Sequence, residues 1–224
     1  MIVRSVTVGP FGANCYLLAC PQTGEAALID PGGDPVAIMG LVARTGARVR
    51  FIINTHAHVD HVGANADVKR LTGASILIHE ADAPLLTNPV RNLSLLSPVT
   101  SRPASADRTL SDGEEIEVGT LRLKVLHTPG HTPGGICLHV GGLLFSGDTL
   151  FAGSVGRTDF PGGSMERLLE SIRVKLSPLD DATRVLPGHG PATTIGAERS
   201  RNPYWGQATA RGEGEAPGGG VSQD

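Results

Sequence analysis

The sequence predicts an α/β protein of packed β-sheets flanked by helices. Short apolar runs of strand length recur through the chain, helical patterns separate them in two successive halves, and Gly (30) and Pro (16) supply many turns. A chain of 224 residues with 40% hydrophobic and 18% charged residues has the composition of one folded domain. That domain is expected over residues 1–205, with a tail over 206–224 that is rich in Gly and Glu from Arg211 onward and expected to be disordered.

In the first half, residues 2–8 alternate in polarity and read as a strand. Residues 15–19 and 26–30 read as two more, joined through a turn at Pro21–Gly24, and Pro31-Gly32-Gly33 stops the last. Asp34 is expected to cap a helix reaching about Arg44. RFIIN at 50–54 is too short and apolar for anything but a buried strand, residues 62–72 look helical, and 74–79 return to strand. Residues 81–111 carry Pro84, Pro89, Pro98 and Pro103 and read as a long loop with at most one short helix, either a lid or a connector. In the second half, strands are expected at 115–118, 121–126, 135–140, 143–146 and 184–186, and helices at 164–176 and about 194–200.

A net charge of −3 gives no electrostatic reason to expect nucleic acid or an anionic membrane as partner. The N-terminus lacks the pattern of a secretory signal, and no window is apolar for long enough to span a membrane. Cys15, Cys20 and Cys137 are odd in number and lack zinc-ribbon spacing, so buried free thiols and a cytoplasmic location are expected. The oligomeric state is not readable.

Chemistry concentrates at Thr55-His56-Ala57-His58-Val59-Asp60-His61, where an apolar strand gives way to a helical pattern. Three imidazoles and a carboxylate within six residues are hard to accommodate as packing, because charged imidazoles repel one another and buried Asp needs a partner. A metal ion binds neutral imidazole and ionised carboxylate and removes the difficulty. One metal cannot use all four groups at that spacing, so further ligands are expected downstream. His131, Asp148 and His189 each stand beside glycine where a predicted strand ends. Taken alone, each has an ordinary alternative: a turn histidine, a helix cap or turn aspartate, an exposed histidine between glycines. Their joint occurrence favours a metal centre. His79 and His139 are expected to be structural or surface residues, and His127 shares a turn with His131 and is a candidate support for it.

This set of residues, His-x-His-x-Asp-His at 56–61 with His131, Asp148 and His189, resembles the metallo-β-lactamase superfamily. The likeness runs from Asn14-Cys15-Tyr16 and Asp30-Pro31-Gly32 to about Pro203. It implies a four-layer αββα sandwich with metals at one edge of the sheets. It also implies that His56, His58 and His131 hold one metal, that Asp60, His61 and His189 hold another, and that Asp148 bridges them. Two divalent ions are then expected, zinc first, with iron or manganese as alternatives.

Within the superfamily, Asp148 speaks against true β-lactamases, and His58 stands where flavodiiron oxidoreductases usually carry Glu. No large insertion resembles the extra domain of the RNA-processing nucleases. The run from Gly153 to Gly163 resembles the glyoxalase II-like and persulfide dioxygenase-like branches, and Arg157 falls where glyoxalase II places a basic residue near the thiol substrate's carboxylate. The ending soon after Tyr204-Trp205 fits the short form of glyoxalase II. The expected activity is hydrolysis of a small-molecule thioester, S-2-hydroxyacylglutathione (such as S-lactoylglutathione) or a related acyl thioester. Metal ions would supply hydroxide near neutral pH, with Asp60 and Asp148 as ligands that also orient water or pass its proton. The alternative is a mononuclear iron persulfide dioxygenase using His56, His131 and Asp148 on glutathione persulfide.

Overall fold

The computed structural model describes residues 1–99 and 101–210. Strands β1 (Ile2–Val8), β2 (Ala13–Ala19), β3 (Glu25–Ile29), β4 (Arg48–Ile53), β5 (Ser75–His79) and β6 (Arg108–Leu110) form one sheet in that spatial order. β1 to β3 pair antiparallel; β3 to β6 pair parallel. The second sheet uses β7 (Glu115–Val118), β8 (Leu121–His127), β9 (Ile136–Val140) and β10 (Leu143–Gly147). A small hairpin, β11 (Leu150–Phe151) with β12 (Ser154–Val155), stands apart, and β13 (Arg184–Pro187) and β14 (Thr193–Thr194) complete the sheet in the order β14-β13-β10-β9-β8-β7.

Strand alternation explains the layers. In β2, Tyr16 and Leu18 face the second sheet and, with Ile53 and Leu77 of their own sheet, pack against its Leu123, Val125, Leu138 and Phe145. Cys15 and Leu17 point the other way, onto α1 (Pro35–Thr45) through Ile38, Leu41 and Val42. On the far side, Cys137, Leu144 and Val185 of the second sheet bury against Leu168, Leu169, Ile172, Ile195 and Trp205. Three apolar interfaces therefore separate four layers, helix, sheet, sheet and helix, as the sequence led us to expect.

Several details differ from the sequence reading. The helical pattern at 62–72 divides into α2 (Val59–Val62) and α3 (Asn65–Thr72) and begins earlier than expected, so Asp60 and His61 lie on a helix. Asp34 does not cap α1 through its side chain; its carboxylate accepts a hydrogen bond from the Gly9 amide at 2.8 Å and ties the β1–β2 turn instead. The segment 81–111 holds two 3₁₀ turns, Ala83–Thr87 and Ser94–Leu96, and then β6, which extends the first sheet. Its three residues are too few to read as a strand.

After α4 (Met165–Ser171), which runs on into a π-helical turn, come α5 (Ile195–Arg201) and α6 (Pro203–Ala210). The domain boundary drawn after residue 205 is thus too early. Residues 206–210 continue a helix that buries Trp205 and Ala208 in the outer core. An apolar contact overrides the weak local pattern; the rest of the expected tail, 211–224, lies outside the described residues. Among the described residues, no helix is long and apolar enough to cross a membrane. All three cysteines are free and buried.

His79 and His127 stack face to face with ring centroids 3.9 Å apart. Burial and the His127 imidazole hold His79 below its ordinary pKa. The folded chain therefore binds fewer protons than the unfolded chain just below pH 6.5, so this group's stabilisation is present above that pH and is lost as pH falls through the lowered value. His79→Phe should flatten the loss of stability between about pH 7 and 5, read by urea melts across pH; an unaltered slope would remove His79 from the acid response. Trp205→Ala should destabilise the fold by about 3–5 kcal/mol in denaturant melts, as for other buried aromatic truncations. A wild-type midpoint would return α6 to the tail.

Candidate metal centre

The site is assembled where strands end. β4 delivers Thr55 and His56, and the following turn and α2 deliver His58, Asp60 and His61. The loop after β8 carries His131, the end of β10 carries Asp148, and the end of β13 carries His189. Thr55 O accepts from Ile136 N at 2.9 Å, which locks the two sheets together beside these residues. The His189 turn is held by β2. Asn14 N donates to Gly188 O at 2.7 Å, Asn14 Nδ2 to Pro187 O at 3.1 Å, and Tyr16 OH to Pro187 O at 2.7 Å.

All seven predicted ligands meet. His58 Nδ1 and His131 Nε2 are 2.9 Å apart, and His61 Nε2 and His189 Nε2 are 3.2 Å apart. Asp60 Oδ2 lies 3.2 Å from His189 Nε2 and 3.7 Å from His61 Nε2. Asp148 sits between the groups, with Oδ1 3.4 Å from His61 Nε2, and Oδ2 3.6 Å from His131 Nε2 and 3.7 Å from His189 Nε2. Two triads, His56/His58/His131 and Asp60/His61/His189, each bring their donor atoms within 4.8 Å of one another. Close approach of backbone makes this possible. A Cβ at Gly32 would run into the Asp60 carbonyl, and one at Gly188 would strike Asp148 and lie 2.7 Å from His61 Cε1.

Outward hydrogen bonds set which ring nitrogen faces inward. His61 Nδ1 is 3.0 Å from Asp30 Oδ2, and His131 Nδ1 is 2.7 Å from the Arg157 carbonyl. His56 Nδ1 is 3.1 Å from Thr55 Oγ1, which itself donates to Asp30 Oδ2 at 2.6 Å. With Nδ1–H donating in each case, Nε2 turns a lone pair toward the centre. His56 Nε2 and Asp148 Oδ1 are buried and have no hydrogen-bond partner. Acceptors converging without donors are what a cation satisfies, so the donor set fits divalent metal.

The electrostatics divide: the imidazoles of His56 and His58 are held neutral, whereas the carboxylates around His61 call for a positive charge, which the ring carries itself unless a cation takes that place. Burial, then the His61, His131 and His58 imidazoles, push His56 far below its ordinary pKa, and burial with His131 brings His58 down to about 3. Burial pulls His61 down as well, but Asp148, Asp60 and Asp30 outweigh it and raise it to about 10. Burial would raise Asp60, yet His61 and His189 hold it below the usual carboxylate range.

Two functional aspartates escaped the sequence reading. Asp30 was noticed only as part of Asp30-Pro31-Gly32; it is buried, has φ +53°, and also accepts from Thr55 N at 2.7 Å. An Asp ending a buried strand ahead of Pro-Gly was the available signal. Asp82, fully buried, accepts from Ala57 N, Thr132 Oγ1 and Gly134 N at 3.0, 2.8 and 2.7 Å. It thereby joins the two loops that carry His58 and His131, and nothing local in Glu80-Ala81-Asp82 announced it. Burial raises its pKa against those hydrogen bonds.

A cavity of about 590 Å³ opens over the centre, with His58, Asp60, His131, Asp148 and His189 exposed to it. Arg157 lines its wall, engaged with Asp159 and packed 4.1 Å over the Phe160 ring. The long loop takes part as well: Val59 N donates to Asn92 O at 2.9 Å, and Leu93, Leu96 and Ser97 reach the cavity. His127 Nε2, 3.0 Å from the Pro133 carbonyl, braces the loop of His131 without entering the centre.

The sequence profile of the metallo-β-lactamase superfamily matches residues 8–189. The chain belongs to that superfamily. It is 36% identical to the hydroxyacylglutathione hydrolase GloC of Haemophilus influenzae, over 91% of this chain and 98% of that protein. Among solved structures, BLEG-1 B3 metallo-β-lactamase is 38% identical with a TM-score of 0.85, covering 91% of this chain and 99% of its own. ETHE1 from Myxococcus xanthus is 30% identical with a TM-score of 0.78, covering 91% and 84%. The fold and the His/Asp cluster are therefore those of a metal-binding superfamily.

Asp30→Asn keeps a side chain tolerant of positive φ but removes the charge behind His61. It should weaken zinc binding by about 10- to 100-fold in chelator competition. Wild-type affinity would show that Asp30 only braces Thr55.

Proposed function

We propose that this chain is a dinuclear metal-dependent thioester hydrolase of the glyoxalase II type. Its substrate in this reading is S-2-hydroxyacylglutathione, such as S-lactoylglutathione, or a related acyl thioester. The observation that carries the reading is the pair of complete triads with Asp148 between them. The similarity to GloC supports it. His56, His58 and His131 would hold one ion, Asp60, His61 and His189 the other, and Asp148 would touch both. Zinc suits this imidazole and carboxylate set, with iron or manganese also compatible.

When bound, such ions act as Lewis acids and bring the pKa of water toward neutrality. The chain's own groups do the rest. The cavity admits the thioester against His58 and Phe160, whose rings meet edge to face at 5.4 Å. Asp60 and Asp148 border the cavity, and besides holding the ions one or the other would orient the attacking water or take its proton. Arg157 borders the thiol arm. Three buried free thiols suit a reducing compartment, and the cytoplasm is the location consistent with them.

A second reading is favoured by the likeness to ETHE1: a mononuclear iron persulfide dioxygenase built on His56, His131 and Asp148. Metal content separates the two. The wild type should carry about two metals per chain and turn over S-lactoylglutathione. Asp60→Ala or His61→Ala should leave about one metal and lower kcat by about 100-fold or more. Full turnover with a single metal would overturn the dinuclear hydrolase. About one iron, with oxygen uptake on glutathione persulfide and no hydrolysis, would establish the dioxygenase in its place.

A further inference from the structure

The cavity above the metal centre has two unlike parts. Its floor is the polar cluster already described; its walls are Phe11, Leu93, Leu96, Phe151, Val155 and Phe160. Two of these stand unusually open, Leu96 at 87% exposure and Phe11 at 50%. Apolar side chains held out at the rim of a polar-floored cavity mark a surface that a ligand covers.

The charge on these walls matters as much. Among the described lining residues, Arg157 is the one guanidinium or ammonium. It is already engaged fork to fork: Nε donates to Asp159 Oδ1 at 2.7 Å and Nη2 to Asp159 Oδ2 at 2.6 Å. Its guanidinium carbon also lies 4.1 Å over the Phe160 ring. Arg157 thus enters the cavity wall stacked on Phe160, with its charge partnered from outside the lining by Asp159 in a pair open to solvent. A thiol such as glutathione brings two carboxylates and one ammonium. A carboxylate reaching the Nε–Nη2 edge of Arg157 must displace Asp159, and one reaching the free Nη1 lies near the Asp159 carboxylate; either brings like charges together.

We propose that the substrate's thiol arm is apolar and without net negative charge, and that Asp159 is the specificity-determining residue that enforces this by neutralising Arg157. The inference rests on the thioester hydrolase reading and narrows its substrate class away from glutathione itself. Leu93, Leu96, Phe151, Val155 and Phe160 would line the arm while the acyl carbonyl lies over the floor.

The test compares two non-hydrolysable thioethers by calorimetry on the protein as purified: S-hexyl-N-acetylcysteamine, which is neutral, and S-hexylglutathione. The neutral thioether should bind at least about tenfold more tightly. Asp159→Asn should strengthen S-hexylglutathione by about three- to tenfold, and Leu96→Asp should weaken the neutral thioether by about tenfold. Equal or tighter binding of S-hexylglutathione to the wild type would overturn the proposal. So would a dimer that Leu96→Asp dissociates without changing the neutral thioether's affinity, since a second copy of the chain would then be what covers the rim. Hydrolysis of the S-lactoyl esters of the same two thiols, run in parallel, should show the preference in KM rather than kcat. Turnover that favours glutathione would sink the apolar arm alone, whereas no turnover of either ester would sink the hydrolase reading beneath it.

Discussion

Lone pairs from several imidazoles and two carboxylates face the same small volume, and this convergence is the constraint on which the rest of the structure depends. His58 Nδ1 and His131 Nε2 at 2.9 Å, and His61 Nε2 and His189 Nε2 at 3.2 Å, are separations that need a proton or a cation between them. A hydrophobic core cannot supply either. The surrounding hydrogen bonds are arranged instead so that the rings have no freedom to turn away. Asp30 fixes His61 directly and His56 through Thr55, and the Arg157 carbonyl fixes His131. The cost of crowding like groups is met by the two sheets, whose shared apolar interface and the Thr55–Ile136 bond hold the strand ends in place.

The metal ligands were legible because they are concentrated. Three histidines and an aspartate in six residues carry more information than any single motif, and His131, Asp148 and His189 each stand at a strand end beside glycine. The layered fold was legible because β2, β3, β5, β9 and β10 are buried on both faces and read as short apolar runs, while β1, β7 and β8 show alternation. What was not legible lies in contacts between distant segments. Asp82 matters because it touches residues 57, 132 and 134, and no local pattern records that. β6 is three residues long and exists because β5 offers an open edge. α6 exists because Trp205 finds an apolar recess among elements that precede it by tens of residues. In each case tertiary context overrides local propensity.

The loop over residues 81–111 shows how one segment serves both fold and site. Its end, β6, adds a strand to the first sheet, while its middle reaches the cavity through Leu93, Leu96 and Ser97. Leu93 takes a left-handed conformation, φ +65°, that costs a non-glycine residue energy. Hydrogen bonds on either side, including that from Val59 N to Asn92 O, hold the turn against that cost. Shape near the centre is thus coupled to the helix carrying Asp60 and His61.

Each candidate triad draws from both sheets: residues 56–61 follow the fourth strand of the first, while 131 and 189 follow strands of the second. An ion gripped by His58 and His131 ties positions 73 residues apart along the chain. It acts as a reversible staple, removing loop freedom from the unfolded chain much as a disulfide would, but set by ion concentration rather than by redox state. With the site filled as proposed, withdrawing the ion would loosen the seam between the sheets as well as stop the proposed chemistry, and the emptied form would be the one open to proteolysis.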